Sequence, residues 1–140
     1  MDKGAIAVEN FKSGLNCCQA VVLAFKDELG LSEDVLKRFS IGFGGGLGRQ
    51  RLTCGAVSGM CMVISALKSD GNDKLAIYPI IQSACAKFKE KTGSLICAEL
   101  LSKQAQIQTE SGETYSNEKK KASCAEMCRL AAEIAREYIK

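Results

Sequence analysis

The run Gly42-Phe43-Gly44-Gly45-Gly46-Leu47-Gly48-Arg49 leads, a few residues on, into Thr53-Cys54-Gly55-Ala56-Val57-Ser58-Gly59. The first run is too rich in glycine for a helix or strand and reads as a loop over about 42–51. Thr53 suits an N-cap, so the second run opens a helix from Cys54 to about Lys68. Gly55 and Gly59 are four apart in it. Glycine costs about 1 kcal/mol against alanine inside a helix, so this pair implies close approach of another backbone. Cys54 then stands at a helix N-terminus, where negative charge is stabilised and thiolate is favoured over thiol. Arg49 and Arg51 add positive charge nearby. The stretch predicts sulfur chemistry on a helical frame.

Working outward, the pattern stays helical. A short amphipathic segment over about 4–12 is broken by Ser13-Gly14. Asn16 caps a helix predicted from Cys17 to Leu29, with Cys18, Val22, Phe25 and Leu29 on one stripe, and Gly30 ends it. Ser32 starts another, with Glu33 and Asp34 in its first turn and Val35, Leu36 and Phe39 apolar. After the turn Ser69-Asp70-Gly71-Asn72, a helix from about Asp73 to Lys91 carries Ile77, Ile81, Cys85 and Phe88 inward, with Pro79 inside it. Ser94 or Leu95 begins a short helix through Cys97, Leu100 and Leu101. Residues 103–115 read as a polar loop. Ser116 or Asn117 caps a last helix with Met127, Leu130, Ile134 and Tyr138 apolar. No strand-like alternation, linker or repeat is visible. The expectation is one all-α domain over residues 1–140, an irregular bundle of five to seven helices.

Composition narrows the function classes. The 140 residues suffice for one core, and 46% apolar with 25% charged residues is ordinary for a soluble globular chain. A net charge of +3 gives no footprint for nucleic acid, and Lys119-Lys120-Lys121 reads as a solvated helix end. No apolar stretch approaches a membrane span, and no secretory signal pattern is seen, so the cytoplasm is the expected location. There is no histidine, which excludes histidine acid–base catalysis, histidine metal ligands and c-type haem attachment. Eight cysteines, at 17, 18, 54, 61, 85, 97, 124 and 128, are many for this length. Cytosolic thiols are normally reduced, which points to a metal site, a redox site or buried thiols rather than static disulfides.

Cys18, Cys85 and Cys61 sit among apolar neighbours and read as core. Cys128 follows Cys124 by one turn. Cys17, Cys54 and Cys97 lie at or near predicted helix starts, and Cys124 lies early in the last helix. Four such positions meeting at one point would suit a tetrathiolate centre or a pair of exchangeable disulfides. Their spacing matches no compact zinc or ferredoxin pattern. The glycine loop has an anion-binding reading through Gly44, Gly45, Gly46 and Arg49. It completes no G-x-G-x-x-G, because Leu47, Arg49 and Arg51 fall where a third glycine would stand.

Taken together, these residues resemble the C_GCAxxG_C_C family, named for spaced cysteines around a glycine-cysteine-alanine motif. Asn16-Cys17-Cys18-Gln19-Ala20-Val21 resembles its opening element, and Gly42–Gly46 with Cys54–Gly59 its central motif. Phe88, Gly93 and Cys97-Ala98-Glu99-Leu100-Leu101 resemble its third segment, and Cys124-Ala125-Glu126 with Ala131-Ala132 its closing one. The resemblance implies that Cys17, Cys54, Cys97 and Cys124 are the characteristic four, with Cys18, Cys61, Cys85 and Cys128 extra. It implies redox activity without a defined reaction. Whether Cys17 or its neighbour Cys18 faces the site stays open.

Two redox readings follow: an oxidoreductase or electron carrier whose four cysteines ligate an iron–sulfur cluster, or a thiol–disulfide exchanger with Cys54 as attacking thiolate. The alternatives are a structural four-cysteine zinc module and a small-anion-binding interaction module. The redox partner is unspecified. Gly55 and Gly59 leave room for either an internal contact or a homo-oligomer.

Overall fold

In the computed structural model, residues 2–110 and 117–140 are described, with side chains for 2–103 and 117–140. Among the described residues there are eight α-helices: α1 (Lys3–Lys12), α2 (Cys17–Ala24), α3 (Lys26–Leu29), α4 (Glu33–Ser40), α5 (Gly55–Lys68), α6 (Lys74–Thr92), α7 (Cys97–Glu110) and α8 (Asn117–Ile139). A 3₁₀ turn (Ile41–Phe43) follows α4. The stretch Gly44–Leu47 has helix-like hydrogen bonding, but Gly45 and Gly46 take left-handed φ, so it is a loop. The all-α class holds; the expected five to seven helices become eight.

The extra count has a local cause. The single helix expected over 17–29 breaks at Phe25, whose φ of −108° and ψ of 22° leave the helical region. Its N–H turns to the Val22 carbonyl at 3.1 Å, and the ring is fully buried. Burying such a side chain is worth about 2–3 kcal/mol, enough to set the chain direction there. Other predicted ends hold. Asn16 and Gln19 form a reciprocal capping box, Gly30 closes α3 with φ 68°, and the Ser32 and Asp73 side chains cap α4 and α6. The helix at Cys97 is longer than expected and runs to Glu110, replacing the first part of the predicted loop. Residues 111–116, including the rest of that loop and the predicted cap Ser116, lie outside the described residues.

Helices α2, α5 and α8 pack together at the centre, with α1 against α2 and α8 and α6 against α5. Val21, Val22, Phe25, Leu36, Met60, Ile64, Phe88 and Ile134 fill the core. The inner face of α8 is built from Ala125, Cys128, Ala131, Ala132, Ile134 and Ala135; Met127, Leu130 and Tyr138 are only half-buried at its margins. Small residues there let α1, α2 and α5 come close. A Cβ on Gly59 would stand 3.0 Å from the Cys18 carbonyl oxygen. The Gly55/Gly59 pair therefore serves an internal contact with α2. Of the apolar residues on α4, Val35 and Phe39 are exposed and Leu36 is buried. No helix among the described residues is long and apolar enough to cross a membrane.

Candidate functional site

Cys17 is the first residue of α2, and the capping box fixes that start: Gln19 N–H donates to Asn16 Oδ1 (3.0 Å) and Asn16 N–H to Gln19 Oε1 (3.1 Å). The Asn16 carboxamide also donates to the Ile41 carbonyl at 2.8 Å. It lies so close over Gly44 that a Cβ there would overlap it. One side chain thus caps a helix and ties the glycine loop to it.

Beyond Gly44 the backbone coils left-handed. Gly45, Gly46 and Gly48 have φ of 67°, 75° and 65°, and Leu47, Arg49 and Arg51 share that region. The left-handed region costs a non-glycine residue roughly 1–2 kcal/mol. The cost is offset by hydrogen bonds returning to the glycines, Arg51 N–H to Gly45 O (3.2 Å) and Leu52 N–H to Gly46 O (2.9 Å). Gly46 is irreplaceable on space as well as φ. A Cβ there would stand 2.7 Å from Cys97 Cβ and 2.7 Å from the Leu52 nitrogen.

The next segment zips to the entry of α7. Cys54 N–H donates to Leu95 O (2.8 Å), Cys97 N–H to Leu52 O (2.6 Å) and Ala98 N–H to Arg51 O (3.2 Å). Thr53 and Ile96 form an isolated antiparallel bridge. Thr53 therefore pairs across the chain instead of capping, and Cys54 itself is the N-cap residue of α5. The zipper brings Cys54 and Cys97 to neighbouring helix starts.

These elements enclose a cavity of about 50 Å³ lined by Cys17, Cys54, Cys97, Cys124, Gly45, Gly46 and Arg51, with Leu100, Leu101 and Met127 as apolar wall. All four cysteines singled out in the sequence meet there. Arg51 Nη1 donates to Cys97 Sγ at 3.6 Å. Gly44 stands behind the wall under Asn16, and Arg49 covers Gly45 from outside, so of the predicted anion-binding residues only Gly45 and Gly46 reach the cavity. Arg51 takes the place expected of Arg49. The run of left-handed residues over 45–49, with Arg51 itself left-handed, brings it inward, a feature that charge spacing does not carry. A larger groove of about 540 Å³ between α1 and the start of α8 contains no cysteine.

The electrostatics separate the four thiols. Burial pushes Cys54 up to about 11, although the N–H groups of Ala56 and Val57 at the start of α5 work in the opposite direction. For Cys17, the hydrogen bond with Cys124 lowers, but contact with Cys128 and burial outweigh it and the thiol is pushed up. Cys124 is pushed up by its hydrogen bond with Cys17 and by burial, with Lys120 and Arg51 opposing. A helix N-terminus is thus overruled by desolvation at Cys54, because removing a thiolate from water outweighs two backbone dipoles. Cys97, half-buried at the first turn of α7, is the thiol with a guanidinium on its sulfur.

The remaining cysteines divide. Cys18 is fully buried, touches Met62 Sδ at 3.9 Å and is pushed up to about 12 by burial; Cys17, not Cys18, lines the cavity. Cys128 is fully buried, with Sγ 3.8 Å from the Cys17 carbonyl oxygen. Cys61 and Cys85, expected as core, are half-buried with sulfurs 3.6 Å apart across α5 and α6. Their pairing depends on the register of two helices and is invisible to either stripe alone.

Four cysteines are a suitable donor set for a tetrathiolate metal centre. As arranged, however, no group of three or more Cys, Asp or Glu among the described residues is positioned to hold a metal ion. One water needs roughly 10–15 Å³ of such space, so the cavity of about 50 Å³ has room for a few waters between the thiols as they stand. Against known proteins, no curated protein and no solved structure matches. The family described as "Putative redox-active protein (C_GCAxxG_C_C)" matches residues 15–138, a span that holds every cysteine of the cavity. The chain belongs to the C_GCAxxG_C_C family.

Proposed function

We propose that the protein is a thiol–disulfide oxidoreductase acting on a disulfide-bearing substrate through Cys97 and Cys54. One observation carries the reading: Arg51 donates to Cys97 Sγ within a cavity lined by three further thiols. Thiol–disulfide exchange needs an accessible thiolate that attacks and a second thiol that resolves. Cys97 is half-buried, starts a helix and carries the guanidinium, so its sulfur faces a positive charge where a substrate can reach it.

The Cys97 thiolate attacks one sulfur of the substrate disulfide and expels the other as a thiolate. Cys54, held beside it by the 51–54/95–98 zipper, then attacks Cys97 Sγ of the mixed disulfide. As Cys54 gives up its proton, Ala56 and Val57 N–H face the developing thiolate. The protein ends with a Cys54–Cys97 disulfide, and the substrate leaves as two thiols, having gained two electrons and two protons. Burial of Cys54 keeps the resolving thiol protonated until the mixed disulfide forms. Cys17 and Cys124 form a second dithiol at the same cavity, able to take over the disulfide by a further exchange.

A second reading is an iron–sulfur centre. What favours it is number: the cavity offers four cysteines where exchange uses two. Cys17, Cys54, Cys97 and Cys124 would hold the cluster, which would supply one-electron transfer. Structural zinc remains an outcome of the same test. Protein purified without air is examined for visible absorbance, iron, sulfide and zinc, and the reduced sample is mixed with an aromatic disulfide. The exchange reading expects a metal-free protein that yields a Cys54–Cys97 linked peptide, with two thiols released for each such link. Iron with sulfide and a brown absorbance overturns it in favour of the cluster; stoichiometric zinc overturns it in favour of a structural site.

A further inference from the structure

We propose that Cys61 and Cys85 form a second, independent dithiol site, which closes to a disulfide stapling α5 to α6 when it reduces a low-molecular-weight disulfide. Neither residue is among the four characteristic cysteines, and neither lines the cavity. Their sulfurs are 3.6 Å apart, a distance that side-chain rotation converts to a bond. The two helices are already packed against each other. Both thiols are half-buried, so a small disulfide can reach them, unlike Cys18 and Cys128, which are sealed in the core.

The pair is also chemically divided. The hydrogen bond with Cys61 pulls Cys85 down to about 7, against burial, while the Cys61 thiol is pushed up by the same contact. The contact between the sulfurs thus favours a thiolate on one of them while the other keeps its proton, the division of labour that attack and resolution need. The Cys85 thiolate attacks the small disulfide and releases one thiolate, leaving Cys85 in a mixed disulfide. Cys61 then attacks Cys85 Sγ and releases the second. Two protein thiols and one disulfide become one protein disulfide and two small thiols, so atoms and electrons balance. Cys61 lies two turns beyond Cys54 on α5, about 10 Å along the axis at 1.5 Å per residue. Direct exchange between the two sites therefore requires a diffusing carrier.

The test equilibrates the full-length reduced protein with graded glutathione and glutathione disulfide, blocks remaining thiols by alkylation, and maps the peptides by mass. The expected result is a peptide pair linked through Cys61 and Cys85, lighter by two hydrogens than its reduced components. It forms at a redox ratio where Cys18 and Cys128 still alkylate after denaturation. Cys61→Ser should abolish the link and trap glutathione on Cys85; Cys85→Ser should leave Cys61 unmodified. Alkylation of both residues at every ratio overturns the proposal, as does stable glutathionylation of Cys85 in the unmutated chain. Because the readout is a specific linked peptide, it stands or falls separately from the Cys54–Cys97 link.

Discussion

Helix α5 carries thiols of two kinds. At its N-terminus Cys54 belongs to a cavity assembled from four chain segments, braced by a left-handed loop and a guanidinium. Two turns further on, Cys61 meets Cys85 with nothing but the packing of two regular helices to bring them together. The first site specifies its thiols individually: one under an arginine, one under backbone N–H groups, two hydrogen-bonded to each other. The second has only mutual contact. Desolvation dominates at Cys54, while the hydrogen bond between the partners dominates at Cys85. Sulfur reactivity in this fold is therefore set less by proximity of thiols than by what else touches each sulfur.

The sharpest way to break the comparison is at Gly46. Gly46→Ala combines a left-handed φ of 75° with a Cβ 2.7 Å from Cys97 Cβ and from the Leu52 nitrogen. Strain and overpacking together should cost about 4 kcal/mol. Urea unfolding should show the loss, and the remaining folded protein should lose orderly Cys54–Cys97 pairing while still forming the Cys61–Cys85 link. Unchanged stability would mean that the loop is not braced on Cys97.

Alkaline pH should separate Cys54 from Cys85 by sign. Cys54 titrates at about 11 folded against 9.0 for an ordinary thiol. Between these values the unfolded chain has released a proton that the folded chain keeps. Stability is therefore full below pH 9 and falls as pH rises toward 11, by about 3 kcal/mol from Cys54. Cys85, at about 7 folded, acts oppositely: its contribution is complete above pH 9 and is lost as pH falls through 7. Urea midpoints across pH 6–11 should rise and then fall, and Cys85→Ala should remove the rise and, by taking away the contact that pushes Cys61 up, lessen the fall.

Much of this fold is legible in particular residues. Asn16 announces the start of α2, Gly30 ends α3, and the four-residue spacing of Gly55 and Gly59 forecasts the approach of another backbone, which the fold supplies as α2. Local chemistry decides those features. What the chain does not display locally is relative placement. The break at Phe25 depends on a core that seats its ring. The buried alanine face of α8 shows only when α1, α2 and α5 are set against it. Spacing alone leaves Cys17, Cys54, Cys97 and Cys124 unconnected; the family resemblance groups them, and the capping box and zipper explain how they meet. Cys54 reads as the reactive thiol because helix starts are visible in sequence and burial is not.

Oxidation of the Cys61–Cys85 pair gives a comparable but opposite change in stability. Cross-linking positions 24 apart restricts the unfolded chain and should add about 3 kcal/mol. Thermal unfolding of the glutathione-oxidised protein should move upward, and Cys61→Ser should erase the gain. A gain that persists in Cys61→Ser would assign the stabilisation to the cavity instead.

The smallest effect concerns a single contact. Arg51 reaches Cys97 from a left-handed backbone position and donates across 3.6 Å to a sulfur at the mouth of α7. A guanidinium there stabilises negative charge on the sulfur without adding to the packing of the core. Arg51→Gln keeps length and a donor but removes the charge, so the fold should persist and the urea midpoint should hardly move. Alkylation of Cys97 at neutral pH should slow, because its sulfur loses the positive charge that faces it. High salt should reproduce part of the slowing in the unmutated chain, because Cys97 is open enough for counterions to compete. Cys85 serves as the internal reference: no charged side chain figures among the causes of its shift, so its alkylation should be indifferent to both changes. Equal slowing at Cys97 and Cys85 would mean that Arg51 acts on the whole fold, and the distinction between a thiol governed by its arginine and one governed by its partner would collapse.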